Sequence, residues 1–265
     1  MSVLALVTCV VAATLYALGR RGRVRGWREA SFYAGIACVL AVLEPPFDGW
    51  ADSSFALHMT QHVVLMTIAP PLLVLGRPWP RLWLALPLGA RRTAARGLAG
   101  STAFVRLGRA ARRPVVSFSA MTAALALWHV PVFYDAAVRH GSVHVLEHLC
   151  FVATALLWWG SLLEAPPMRA RIDHLRRACW FAAALVPSWA LAVVLGFAST
   201  PLYDAYASLP HRAGGVSALA DQQLAAGVMW VPGSLAFTIA AVVAFHAWLA
   251  PESHVVHRPE ELSWT

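Results

Sequence analysis

The sequence predicts an all-α protein, a polytopic membrane helix bundle with seven transmembrane helices, forming a single transmembrane domain over residues 1–265. Two observations predict this fold class. Only 13% of the residues are charged, whereas a soluble domain carries about 25%. Hydrophobic runs of about 20 residues, long enough to cross a hydrocarbon core about 30 Å thick, recur along the whole chain. Backbone groups in lipid have no water to pair with, so these runs must be helical.

Seven such runs follow one another, of which the second is the shortest. They cover residues 2–19, 30–44, 55–76, 115–134, 144–163, 179–198 and 222–250. In the first run the charges follow the apolar stretch instead of preceding it, so we expect a membrane anchor and not a cleavable signal peptide. The connections that alternate with the arginine-bearing ones are short, and none is long enough for a folded soluble domain.

The basic residues define the predicted orientation. All 21 are arginine. Nineteen lie on one set of connections and the tail, and only Arg139 and Arg212 lie on the other set. Because loops rich in arginine stay in the cytoplasm, this bias predicts an outer N-terminus and a cytoplasmic C-terminus. The high basic content is therefore a topological device that also favours anionic lipids, and we do not expect nucleic-acid binding.

The longest inner connection covers residues 77–114 and carries nine of the arginines. They are spaced among leucine, alanine, tryptophan and phenylalanine. This pattern predicts an amphipathic helix on the cytoplasmic surface over about residues 90–111.

Histidine gathers at the opposite face of the predicted bundle. Seven of the eleven histidines fall on the outer side. Ionisable side chains are costly in a membrane and usually mark function, so the concentration needs an explanation. The outer histidines are His58, His62, His129, His140, His144, His148 and His211.

Their spacing predicts a metal site. His58, His62 and Met66 recur every four residues and so share one face of the third span. From the outer loop into the fifth span, the same spacing recurs at His140, His144 and His148. Two imidazoles on adjacent helical turns are close enough to hold one metal ion. With His129 at a similar depth on the fourth span, three helices offer a site of three to five ligands; the alternative is that these histidines only form hydrogen bonds between helices.

Two acidic side chains are of interest: Glu147 lies beside the stripe of the fifth span, and Asp221 lies at the start of the seventh span. Glu147 and Asp221 are candidates for orienting the imidazoles, and the alternative for each is helix capping or packing. Imidazole with thioether suits copper, especially Cu(I). Zinc accepts histidines and a carboxylate equally well, and the spacing does not separate the two metals.

Several motifs together resemble the CtaG-like family of cytochrome c oxidase assembly factors. The resemblance covers about residues 55–250 in order. The motifs are His58-Met-Thr-Gln-His62, Ala69-Pro-Pro-Leu-Leu, Leu75-Gly-Arg-Pro78, Trp128-His129-Val-Pro131, Tyr134-Asp135, His144-Val-Leu-Glu147-His148, Pro201-Leu-Tyr203, Asp221-Gln222, Gly227 and Met229-Trp230. They include the histidines that spacing selects on the third, fourth and fifth spans, and they add Gln222 as a residue of the same region. His140 and His211 lie outside them.

The resemblance implies an accessory role in assembling a copper-containing oxidase at the bacterial plasma membrane. We expect the chain to bind or deliver copper at the outer histidines and to contact oxidase subunits. No nucleophile–base pair or cofactor fingerprint is present in the sequence, so we do not expect an enzyme. The alternatives are a b-type haem protein with iron held by histidines from two helices, a copper transporter, and a metal-free assembly scaffold. A retinal protein is excluded because the chain has no lysine.

Overall fold

The computed structural model describes residues 2–19, 26–111, 113–163 and 172–250. Within these ranges the regular structure is entirely helical, as the composition predicts. The α-helices in chain order are α1 Ser2–Leu18, α2 Gly26–Leu43, α3 Phe47–Ala51, α4 Phe55–Val63, α5 Ala69–Leu75, α6 Pro78–Ala85, α7 Leu88–Gly100, α8 Thr102–Ala111, α9 Pro114–Trp128, α10 Pro131–Arg139, α11 Gly141–Leu162, α12 His174–Ala183, α13 Leu185–Phe197, α14 Asp204–Ala207, α15 Ala218–Trp230 and α16 Pro232–Leu249.

Four helical segments of the described chain are long and apolar enough to cross a membrane. They are Phe55–Leu75, Gly141–Leu162, His174–Phe197 and Ala218–Leu249. The bent pair α9–α10 makes a fifth if it is counted as one span. Helix α1 is apolar but has only 17 residues, and α2 carries Arg28 and Glu29 near its start. The prediction of several membrane helices is therefore confirmed. Length and composition support four to five spans among the described residues, and the number seven stays a prediction.

The predicted fourth span, residues 115–134, is not one straight helix. Helix α9 ends at Trp128, α10 begins at Pro131, and the two axes differ by 75°. Proline has no N–H to continue the ladder and disfavours helical geometry in the residue before it. Val130 is accordingly extended, with φ −67° and ψ 128°. His129 thus lies at the break in the chain.

The third span contains a second irregularity. Between α4 and α5 the residues Val64–Ile68 form one π-helical turn. Pro70 and Pro71 follow it in the first turn of α5. Proline is tolerated there because the N–H groups of a first turn form no hydrogen bond within the helix. Met66 lies inside this turn, and its carbonyl accepts a hydrogen bond from the indole of Trp159 at 3.0 Å. The wide turn therefore lets the span continue past two prolines.

The arginine-rich connection is helical but broken. In place of one helix over residues 90–111, α7 and α8 meet at Ser101, which has extended geometry. None of the α7 residues is buried. The amphipathic pattern is strongest in the second piece, where apolar and basic positions separate to opposite faces.

Packing brings α4 to the middle of the bundle. It contacts α15 and, through the π turn, α11 and α2. Helix α11 also packs on α9 and α10, and α12 pairs with α16. The core beneath is aromatic, with Phe151, Trp158 and Trp159 fully buried on α11. The two helices that carry the predicted histidine stripes are therefore neighbours.

A close approach joins α1 to α6. A Cβ added at Gly19 would lie 1.8 Å from the carbonyl oxygen of Arg81, so only glycine fits. The Tyr16 hydroxyl donates to the carbonyl of Gly76 at 2.9 Å. The buried Arg81 guanidinium lies 4.2 Å from the centre of the Tyr16 ring and 3.6 Å from Glu29. These contacts hold the two N-terminal helices against the rest of the protein.

Candidate metal centre

The site begins with the two histidines of α4. His58 and His62 are one helical turn apart, so both project from the same face of the helix. Both side chains are buried, with 1% and 3% of their surface exposed. Their Nε2 atoms lie 3.0 Å apart. The spacing prediction that these two imidazoles meet is confirmed.

The hydrogen bonds of His58 determine its tautomer. The hydroxyl of Tyr206, in α14, donates its only hydrogen to the carbonyl of Ala51 at 2.9 Å. The same hydroxyl lies 2.8 Å from Nδ1 of His58, so it accepts from that nitrogen. In a neutral imidazole the other nitrogen then has no hydrogen. Nε2 of His58 therefore directs a lone pair toward His62.

Helix α11 contributes the other side of the site. On the side facing α4 it carries His144, Glu147 and His148. Together with His58 and His62 these make five residues. Each of the five offers one ligand atom, and these five atoms all lie within 4.8 Å of one another. We call these five residues the histidine cluster. Metal–nitrogen bonds are about 2.0–2.1 Å long, so ligands on one ion lie about 3–4 Å apart. Small side-chain adjustments would bring four of these atoms to that separation.

Most polar atoms of the cluster have no hydrogen-bond partner in the protein. They are His62 Nδ1, His144 Nε2, both oxygens of Glu147 and both ring nitrogens of His148. An unsatisfied buried polar atom costs about 1–3 kcal/mol, and burial of this many together is unusual in a protein interior. Buried nitrogen and oxygen donors that converge in this way suit a cation, and imidazole with one carboxylate is a donor set that copper and zinc accept.

His129 and Met66 occupy a different place from the cluster. Nδ1 of His129 donates to the carbonyl of Leu125 at 2.8 Å, and Nε2 lies 3.4 Å from the sulfur of Met59. The ring of His129 is 6.1 Å from that of His62, centre to centre. Met66 and His129 line a cavity of about 40 Å³ that also touches His62. The structure therefore brings four of the five predicted histidines together in the cluster, and the fifth, His129, lies beside them. His62 belongs to the cluster and also lines the cavity that His129 lines.

Asp221 acts at the start of α4. Its carboxylate accepts hydrogen bonds from the hydroxyl of Ser54 at 2.8 Å and from the backbone N–H groups of Phe55 and Ala56 at 2.7 and 3.0 Å. A negative group at a helix N-terminus satisfies its free N–H groups and opposes the helix dipole. Asp221 therefore caps a helix, and in the described part of the chain it forms no hydrogen bond with an imidazole. The cap holds the N-terminus of α4, the helix that carries His58 and His62.

Gln222 ties together the chain next to the site. Its amide donates to the carbonyl of Leu195 at 2.9 Å, and its oxygen accepts from the N–H of Leu202 at 2.7 Å. The hydroxyl of Tyr203 in turn donates to the carbonyl of His129 at 3.1 Å. Gln222 thus holds the α13–α14 connection, and Tyr203 in this connection contacts the helix break at His129.

Two residues important to the geometry were missed by sequence reasoning. Ser54 precedes an apolar helix and is a typical N-cap residue, so a capping signal was present. Tyr206 gave no comparable signal, because it meets His58 across 148 positions of the chain. The remaining outer histidines, His140 and His211, are exposed.

Comparisons with known proteins identify the family to which the chain belongs. The family model for the cytochrome c oxidase caa3 assembly factor matches residues 11–250. Uncharacterized proteins of Mycobacterium bovis and Mycobacterium tuberculosis are each 24% identical over 257 residues, covering 94% of this chain. The chain spans only 38% of the length of these two relatives. No solved structure matches the chain significantly.

Proposed function

Because the chain belongs to the cytochrome c oxidase caa3 assembly factor family, we propose that it binds copper at the histidine cluster and delivers it to oxidase subunits during assembly. The observation that carries the proposal is the convergence of four imidazoles and one carboxylate from α4 and α11, most of them without a partner in the protein. Copper is the cargo here and the oxidase the recipient.

The arginine distribution supports placing this cluster at the outer face of a bacterial plasma membrane. In this arrangement seven helices cross the bilayer, the N-terminus lies outside, and nineteen of the 21 arginines lie on the cytoplasmic side near anionic lipids. α1 and α2, with α9–α10, complete the seven. Copper then enters and leaves from the side on which an exported copper centre is assembled.

The donor set indicates which side chains would hold the ion. The proposed ligands are His58, His62, His144 and His148, with Glu147 as a further ligand or as the group that orients an imidazole. Imidazole serves Cu(I), Cu(II) and zinc, so selectivity depends on which ion is presented. The Tyr206–His58 hydrogen bond, which leaves Nε2 of His58 unprotonated, prepares one ligand before the ion arrives.

Haem b is a weaker candidate for this site. The cluster rings pack directly against each other, with 4.5 Å between the centres of His58 and His62 and 4.3 Å between those of His144 and His148. A porphyrin between two axial histidines needs a larger cleft than either adjoining cavity offers, which is about 40 Å³ beside His62 and about 140 Å³ beside His148.

Metal analysis of the purified protein tests the proposal. We expect about one copper per chain at the cluster in the wild type, retained in the exposed-histidine control His140→Ala. We expect that copper to be lost in the double variants His58→Ala/His62→Ala and His144→Ala/His148→Ala. In cells, the same double variants should lower the copper content of the oxidase. Equal copper in every variant of the purified protein would show that the histidine cluster does not hold the ion.

A further inference from the structure

Soft sulfur donors are concentrated beside the histidine cluster. Four of the six methionines of the chain line the 40 Å³ cavity that His62 and His129 also touch. We call it the methionine cavity. All four side chains are buried, with at most 7% of their surface exposed. The methionines are Met59, Met66, Met121 and Met229.

The contact between His129 and Met59 is the most informative feature of this cavity. Because the carbonyl of Leu125 can only accept, Nδ1 of His129 carries the hydrogen and Nε2 of the neutral ring carries a lone pair. That lone pair lies 3.4 Å from the thioether sulfur of Met59, which has no hydrogen to donate. Two electron-pair donors therefore face each other inside a buried site, an arrangement that an electrophile between or beside them would stabilise.

The position of His129 depends on three separate elements of the fold. It lies at the 75° bend between α9 and α10. Its own carbonyl accepts from the Tyr203 hydroxyl, and its ring nitrogen is held by Leu125. The Tyr203 bond thus holds the backbone at the bend and the Leu125 bond orients the imidazole, before any ligand binds.

We propose that the methionine cavity is a second metal site, which takes a soft monovalent d¹⁰ cation, Cu(I), through His129 Nε2, the sulfur of Met59 and a thioether of Met66 or Met229. The inference rests on the proposed copper function and deepens it. Thioether with imidazole selects Cu(I) over zinc. The wall is otherwise mainly apolar, with Val63, Leu125 and Phe237, which suits an ion of low charge and weak hydration.

His62 connects this site with the histidine cluster. It supplies one ligand atom to the cluster and also lines the methionine cavity. Its ring centre is 4.5 Å from that of His58 and 6.1 Å from that of His129. A cuprous ion can therefore pass from one site to the other through a single shared imidazole, without crossing an apolar gap.

The test compares Cu(I) with Zn(II) on the full chain in detergent under anaerobic conditions. We expect the wild type to bind two Cu(I) but one Zn(II), and the variant Met59→Leu/Met66→Leu/Met229→Leu to bind one of each. Leucine keeps the side-chain volume, and retained Zn(II) binding shows that the variant is folded. Phe237→Leu, which alters the same wall without removing sulfur, should still bind two Cu(I).

X-ray absorption of the Cu(I)-loaded protein supplies the second readout. We expect copper–sulfur scattering in the wild type and its loss in the methionine variant, with the single variant Met59→Leu carrying the test if the triple variant is not recovered. Unchanged Cu(I) stoichiometry together with no copper–sulfur scattering would overturn the second site. The variant His144→Ala/His148→Ala separates the two proposals. It should abolish Zn(II) binding and keep the copper–sulfur signal. Unchanged Zn(II) binding in this variant would contradict the metal site at the histidine cluster and would leave the second site unaffected.

Discussion

The Nε2 atoms of His58 and His62 lie 3.0 Å apart, and the one on His58 carries no hydrogen because Nδ1 of that ring donates to Tyr206. Two imidazole nitrogens from one helix thus meet at the centre of the protein, facing a second helix that brings His144, Glu147 and His148.

The Tyr206 hydroxyl is expected to tune the affinity for copper. Tyr206→Phe removes the acceptor that holds Nδ1–H of His58, so the ring loses its preferred tautomer and orientation. Outer hydrogen bonds of this kind are worth about 10–100-fold in metal affinity. We expect the copper dissociation constant to rise by roughly 10-fold with the stoichiometry unchanged, as measured by competition with a chromophoric chelator. Tyr33→Phe, on the exposed side of α2, is the matched control, and equal affinities in the two variants would refute the role of the Tyr206–His58 bond.

The charge of Glu147 is expected to matter more for divalent ions than for Cu(I). Glu147→Gln keeps the side-chain shape but removes the carboxylate that could ligate an ion in the buried cluster, where charge interactions are weakly screened. We predict that Zn(II) affinity falls by about 10–100-fold and that Cu(I) affinity falls much less. Isothermal titration with each ion measures the difference. Asp173→Asn is the control, since that exposed carboxylate caps α12 and asparagine caps equally well; a Glu147→Gln protein that binds Zn(II) like this control would place Glu147 outside the ligand set.

Loss of Asp221 is expected to disturb the site through α4. Asp221→Ala removes three hydrogen bonds at the N-terminus of the helix and should cost about 2–4 kcal/mol, in the range for hydrogen bonds to charged groups and helix caps. We predict a lower thermal midpoint together with weaker copper binding. Asp221→Asn keeps one acceptor oxygen, so its thermal midpoint and copper affinity should lie between those of the wild type and of Asp221→Ala. Normal copper affinity in Asp221→Ala at full stability would show that α4 is positioned without this cap.

Gly19 offers a test of the packing that is independent of the metal. Because a Cβ at this position would overlap the Arg81 carbonyl at 1.8 Å, Gly19→Ala should force α1 away from α6. We expect a loss of roughly 1–3 kcal/mol, as for other overpacked sites, seen as a lower thermal midpoint, while copper stoichiometry stays unchanged. Gly97→Ala, where nothing lies within 4 Å, should be neutral or slightly stabilising. Equal midpoints for the two alanine variants would rule out the close approach.

Part of the site was readable from spacing. His58 with His62, and His144 with His148, each share a helix face because a four-residue step is close to one helical turn. The expectation that His129 joins them rested on depth alone. Its ring points to Met59 instead, since Pro131 ends α9 and turns the chain by 75° just beyond it. Depth in the bilayer says nothing about how a helix is rotated about its own axis.

The sequence by itself determined that this chain is all-helical, that it is built for a membrane, and which histidines pair within a helix, because composition and a 3.6-residue period are local properties. Only the tertiary structure decided that α4 and α11 face each other, that Glu147 enters the cluster, that Asp221 caps α4 across 166 positions, and that four methionines enclose one cavity. These relationships depend on the rotation and contact of helices far apart in the chain, and side-chain packing between helices settles them.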